Sequence, residues 1–108
     1  MDTKSRNQAA HAKYFASNPR AAAQIESVSI KMLEHCGITM EEYREQRRYV
    51  VFAQAAKAHG LEVDEFVINL VAESPEQAHA WRLEGQRRIA EVLGIPWDEY
   101  KQLNRITE

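Results

Sequence analysis

One eight-residue pattern occurs three times and limits what this chain can fold into more than any other feature. Cys36-Gly37-Ile38-Thr39-Met40-Glu41-Glu42-Tyr43 recurs as His59-Gly60-Leu61-Glu62-Val63-Asp64-Glu65-Phe66, and again as Leu93-Gly94-Ile95-Pro96-Trp97-Asp98-Glu99-Tyr100. A glycine just past a helix end can take φ > 0, which a β-carbon penalises. The Ile or Leu after it can pack on the aromatic five residues later as a hydrophobic staple. The paired acids fall in the first turn of the next helix, where the positive end of the helix dipole favours them. Each octet therefore ends one helix and starts another, and Gly37, Gly60 and Gly94 are read as structural helix corners. Their positions, 37, 60 and 94, lie 23 and 34 residues apart, so the unit is a reused corner and not a solenoid repeat.

Helical spacing fills the segments between the corners. A first helix runs from about Thr3 to Ala16 and stops at Ser17-Asn18-Pro19. Asn18 and Pro19 suit the cap and first position of a second helix, on which Ile25, Val28, Met32 and Cys36 form one stripe widened by Ser29 and Leu33. A third helix spans about Met40 to Ala58, and its run Tyr49 to Ala53 is apolar nearly all round, which makes it a central element. Val63, Phe66, Val67, Leu70 and Val71 mark a fourth helix. Ser74-Pro75-Glu76-Gln77 reads as a capping box opening a fifth helix through about Leu93, with Trp81, Ile89 and Val92 inward. A sixth begins near Trp97. Gly85, four residues from both Trp81 and Ile89, reads as a place of close helix approach or as room for the Trp81 ring. No alternating β-branched stretch supports a strand. The expected fold is all-α, a compact, irregular, orthogonal bundle of five to six helices, with the third and fourth central. Its expected core is Ile25, Val28, Met32, Tyr43, Val50, Phe52, Phe66, Val67, Leu70, Trp81, Ile89 and Val92.

The length of 108 residues fits one domain over residues 1–108, with 1–3 and 105–108 expected to fray. Apolar residues at 44% and charged residues at 28% are ordinary globular values and argue against disorder. Fourteen basic and sixteen acidic side chains give a formal charge of −2, which disfavours nucleic acid and anionic membrane surfaces. Cys36 is the single cysteine; it excludes an intramolecular disulfide and fits a reducing compartment. The polar start, Met1 to Ala10, has no signal-like apolar region, and no run is long enough to span a bilayer. A cytoplasmic location is expected.

Residues able to carry chemistry are sparse. His11, His35, His59 and His79 form no His-Glu-x-x-His and no i, i+4 pair. Glu76-Gln77-Ala78-His79 matches the Glu-x-x-His turn of di-iron bundles, but a second such turn is absent and Glu76 and Gln77 already have capping roles. Cys36 reads as a small core group, because a helix C-terminus raises a thiol pKa and no base lies beside it in sequence. Nothing resembles a G-x-S-x-G elbow or a phosphate loop. Ala55 to Leu61, followed by Phe66 and Val67, resembles the turn of a helix-turn-helix, yet the would-be recognition helix opens with Glu62, Asp64 and Glu65. The stretch Tyr49 to Glu73 also resembles the helices of a ribbon-helix-helix antitoxin, which needs a β-strand where Glu41 to Arg48 is helical. Glu41 with Arg44 and Glu84 with Arg88 read as self-paired, solvated helix faces.

With these motifs assembled, the chain resembles a family of small uncharacterised bacterial all-helical proteins, a domain of unknown function. The resemblance rests on Gly-Ile-Thr-Met-Glu-Glu-Tyr, Val-Val-Phe-Ala-Gln-Ala-Ala with Gly-Leu-Glu-Val-Asp-Glu-Phe, Glu-Ser-Pro-Glu-Gln, and Leu-Gly-Ile-Pro-Trp-Asp-Glu-Tyr with Leu103-Asn104. It covers about residues 3–105, implies a helical fold and transfers no active-site residue. The favoured functional reading is a non-enzymatic protein-interaction or regulatory module, a homodimer or the binder of another protein. No catalytic residue, cofactor or metal is assigned to it. Trp97 and Tyr100 are its expected interface anchors, because partly exposed aromatics near the C-terminus suit that role. The alternatives are a DNA-binding antitoxin-like transcriptional regulator and a small helical metal protein or enzyme.

Overall fold

The computed structural model describes residues 1–107, and among them it contains seven helices and no strand. They are α1 (Thr3–Ser17), α2 (Pro19–Glu26), α3 (Ile30–Cys36), α4 (Met40–Ala58), α5 (Val63–Val71), α6 (Pro75–Leu93) and α7 (Trp97–Leu103). Among the described residues no helix is long and apolar enough to cross a membrane. The chain gathers into two compact units, Met1–Val71 and Ala72–Glu108.

The three glycine corners share one backbone geometry. Gly37, Gly60 and Gly94 have φ of 73°, 71° and 71°. The residue after each glycine donates its N–H back across the helix end: Ile38 to the Leu33 carbonyl at 3.1 Å, Leu61 to Ala56 at 3.0 Å and Ile95 to Ala90 at 3.0 Å. This is the six-to-one closure of a Schellman end, and it satisfies carbonyls that the helix cannot. All three acceptors, Leu33, Ala56 and Ala90, are buried. The aromatic that ends each octet then donates the first helical bond of the next element, Tyr43 to Thr39, Phe66 to Glu62 and Tyr100 to Pro96, at 2.9–3.0 Å. A fourth turn of this kind closes α7 without a glycine. Arg105 takes φ 53°, and Ile106 donates to the Lys101 carbonyl at 2.9 Å.

The expected second helix is two helices, which raises the total above the five or six foreseen. At Ser27 both the backbone N–H and Oγ donate to the Gln24 carbonyl, at 3.3 Å and 2.7 Å, and this ends α2. Ser29 is extended and precedes α3. Serine hydroxyls compete in this way with the helix's own bonds. The break rotates the apolar stripe: Leu33 is buried, Val28 is half-buried, Met32 is 61% exposed and Cys36 is exposed instead of filling the core. Arg44 also departs from expectation. It grips Glu26, the last residue of α2, with Nε 2.8 Å from Oε1 and Nη2 2.9 Å from Oε2, in place of Glu41 on its own helix. This bidentate pair ties α2 to α4 and holds the Glu26 carboxyl below its usual pKa.

In the first unit the core joins α1, α4 and α5 around Ala10, Phe52, Ala56, Phe66 and Val67, with Tyr14, Leu61 and Leu70 packed against it. The pairing of α1 with α5 is the most extensive. Ala10 is wholly buried, and its small side chain lets the two backbones approach. Lys13 completes the pairing by donating from Nζ to the Leu70 carbonyl at 2.7 Å, where a cation suits the negative end of α5. α4 and α5 are central in this unit, as expected. Val50, however, lies outside the core, and so does Tyr49 of the same apolar run.

In the second unit α6 packs on α7 and buries Ala78, Ala90 and Tyr100. Ser74 caps α6 by accepting from the Gln77 N–H at 3.0 Å, and Gln77 Oε1 reaches back to accept from the Glu73 N–H at 2.8 Å. Trp81 is half-buried, while Ile89 and Val92, both expected in the core, are exposed. Gly85 is not a point of close approach: a β-carbon there meets no atom within 4 Å.

A β-carbon on Gly60 also meets nothing within 4 Å, so alanine at these two glycines isolates backbone conformation from packing. At Gly60, where φ is 71°, we expect Gly60→Ala to cost about 1–2 kcal/mol in urea unfolding. At helical Gly85 the same change is expected to add about 1 kcal/mol.

Candidate functional site

The second unit carries the two aromatics that the sequence singles out, and the structure treats them differently. Both sit on α7, which starts at Trp97 because Pro96 at φ −57° sets up the helix and Asp98 and Glu99 fill its first turn. Tyr100 is buried, and its hydroxyl donates to Gln86 Oε1 at 2.7 Å. It is therefore an interior strut between α6 and α7, and the expectation of a partly exposed anchor fails for it. Trp97 is half-buried. Its ring stacks on Tyr100 with centroids 5.9 Å apart, and the Arg87 guanidinium and Lys101 ammonium lie 5.1 Å and 5.7 Å from its centroid. These cation–π contacts occupy the indole with the unit's own charges.

Exposed apolar surface lies elsewhere in the unit. On the last two turns of α6, Ile89, Val92 and Leu93 are 47%, 86% and 61% exposed. Their i, i+3, i+4 spacing sets them side by side on one helix face. Gly85 lies one turn earlier on that face and adds no side chain to cover it. Arg88 and Glu84, which pair with each other as expected, are also exposed on α6. Periodicity had detected the stripe; no signal in a single sequence says whether a neighbouring element covers it.

The remaining candidates are dispersed. Among the described residues no group of three or more His, Cys, Asp or Glu side chains could hold a metal ion. Glu76 and His79 are both exposed near the start of α6, and Cys36 is a free, exposed thiol at the end of α3. The acid pairs of the three corners each sit in the first turn of their own helix. α5, the would-be recognition helix, has no basic residue. It buries Phe66, Val67 and Ile68 and leaves Asp64 and Asn69 exposed. A face of that composition repels phosphates. α4 is helical from Met40 onward, where a ribbon-helix-helix protein would have its strand.

The sequence offered no hint of a ring column inside the first unit. His11 stacks on Phe52 at 4.2 Å between centroids, Phe52 meets Phe66 at 5.0 Å, and Phe66 meets His59 at 5.3 Å. Tyr14 closes the side, edge-on to both phenylalanines. Burial, and secondarily the Arg48 charge, push the His11 pKa below its ordinary value. Four segments supply these rings, so their meeting depends on how α1 lies across α4 and α5.

No curated protein and no solved structure matches the chain. A family model does match, over residues 1–106, and so spans both units. The chain belongs to that family, whose description is "Family of unknown function (DUF6388)".

Proposed function

We propose that this protein is a non-enzymatic protein-interaction or regulatory module, which pairs with a second copy of itself or with another protein through the last two turns of α6. The observation that carries this reading is the adjacent exposure of Ile89, Val92 and Leu93. Three large aliphatic side chains on one helix face offer the apolar centre that interfaces use, and the polar residues of α6 can form its rim. Trp97, held in a fixed orientation by Arg87, Lys101 and Tyr100, is a candidate for the edge of that surface. A cytoplasmic setting belongs to the same reading, since a lone exposed cysteine is best kept as a thiol in a reducing compartment.

Val92 is the side chain to change, because its exposure leaves the fold little to lose. Val92→Glu is expected to keep the circular dichroism of the parent and to weaken association about tenfold or more. Sedimentation measures self-association, and affinity capture from the native cell measures binding to another protein. A parent chain that stays monomeric and captures nothing would overturn the reading, as would a Val92→Glu chain that associates unchanged.

A further inference from the structure

Gly85 sits near the middle of α6 with no use inside the chain. Among the described residues it is not one of the glycines with positive φ, and a β-carbon on it would meet no atom within 4 Å. Glycine is also a poorer helix former than any residue but proline. What the absent side chain leaves is room for a neighbour from outside. At about 100° per residue, Trp81, Gly85, Ile89 and Val92 fall within an arc of about 80° on α6. Trp81 and Gly85 are half-buried, and Ile89 and Val92 are exposed. α7 lies against a different side of the helix, where Tyr100 meets Gln86 and Ala90 is buried. Ala78 continues the arc toward the start of α6 but is buried, so the open stretch runs from Trp81 to Val92. We propose that this stretch pairs with a second copy of the chain, the two α6 helices antiparallel and crossing at Gly85. The proposal rests on the reading of α6 as an interaction surface and names its occupant.

The charges beside the arc select that occupant. Glu84 and Arg88 flank it on one side, pair with each other, and have side chains about half exposed. Their midpoint is one residue from Gly85. A two-fold axis at Gly85 therefore sets Glu84 opposite the partner's Arg88, and Arg88 opposite the partner's Glu84. The same operation sets Trp81 on the partner's Ile89 and glycine on glycine. A patch that complements itself under a two-fold rotation is what a pair of identical chains requires. Helix axes usually pack about 8–10 Å apart, at a distance set by the side chains between them, and glycine at the crossing lets the backbones come nearer. Antiparallel order also opposes the two helix dipoles. Arg82, on the other edge of the arc, lies about 9 Å along the axis from the partner's Arg82, far enough for salt to screen much of the repulsion.

The test is sedimentation of the full chain, in which the parent is expected to form a reversible dimer. Gly85→Leu favours the helix of the single chain and fills the crossing point. It should keep the circular dichroism of the parent and unfold at higher urea, yet associate at least tenfold more weakly. A glycine needed only by the fold would not give those opposite signs. Glu84→Arg and Arg88→Glu each break the pair within the helix and set like charges across the axis, so each alone should weaken self-association about fivefold. Mixed together, the two variants should associate about as well as the parent. The chain with two bases then meets the chain with two acids, while the internal pair stays broken in both. A parent that stays monomeric, yet captures another protein in a manner sensitive to Val92→Glu, would overturn the second copy and leave the interaction-surface reading standing. A monomeric parent that captures nothing would overturn both. Self-association unchanged in Gly85→Leu, or a mixture that associates no better than its components, would also overturn the pairing.

Discussion

The structure depends on one backbone hydrogen bond made three times over glycine. In each corner a left-handed glycine lets the following Ile or Leu donate into the helix just ended, and the accepting carbonyl belongs to a buried residue, Leu33, Ala56 or Ala90. Closing the helix end and placing a side chain in the interior are therefore one event. Without the positive φ, the last carbonyls of α3, α4 and α6 would need water, which the neighbouring packing restricts. Arg105 shows that the geometry can form without glycine. A β-carbon in the left-handed region is costly, and the side chain there is exposed, so only the backbone bears the strain.

The acid pairs of the corners take part in the same device. They sit in first turns, which compensates the dipole of α4, α5 and α7, and Thr39 adds a hydroxyl cap to α4 by accepting from the Glu42 N–H. α5 has no glycine at its far end, and Lys13 from α1 supplies the missing donor. A cation recruited across fifty-seven residues does for α5 what a local glycine does for α4. This makes α1 part of the core assembly and not an appendage.

How far the sequence can be read depends on whether the deciding contact is local. The limits of α4, α5, α6 and α7 were legible because their caps lie within a few residues of the helix ends: Thr39, the Gly60 corner, Ser74 with Gln77, and the Gly94 corner. The break at Ser27–Ser29 was missed because the apolar stripe runs on through it, while the competing bond to the Gln24 carbonyl is a matter of serine geometry. α1 was underrated for a related reason. Its buried contacts come from Ala10 and an aromatic edge, and neither gives an alanine-rich helix a strong apolar face. At the candidate surface, the side-by-side placement of Ile89 and Val92 was legible, but their exposure was not.

By itself the sequence determined that the chain is helical and where it turns, because propensity, capping and glycine conformation act over four or five residues. Only the tertiary structure decided that Arg44 reaches Glu26, that His11 lies on Phe52, that Tyr100 is interior, and that the end of α6 is left bare. Each of those outcomes is a choice among partners far apart in the chain. Side-chain spacing offers a face to a partner, but only the path of the whole backbone brings one to it.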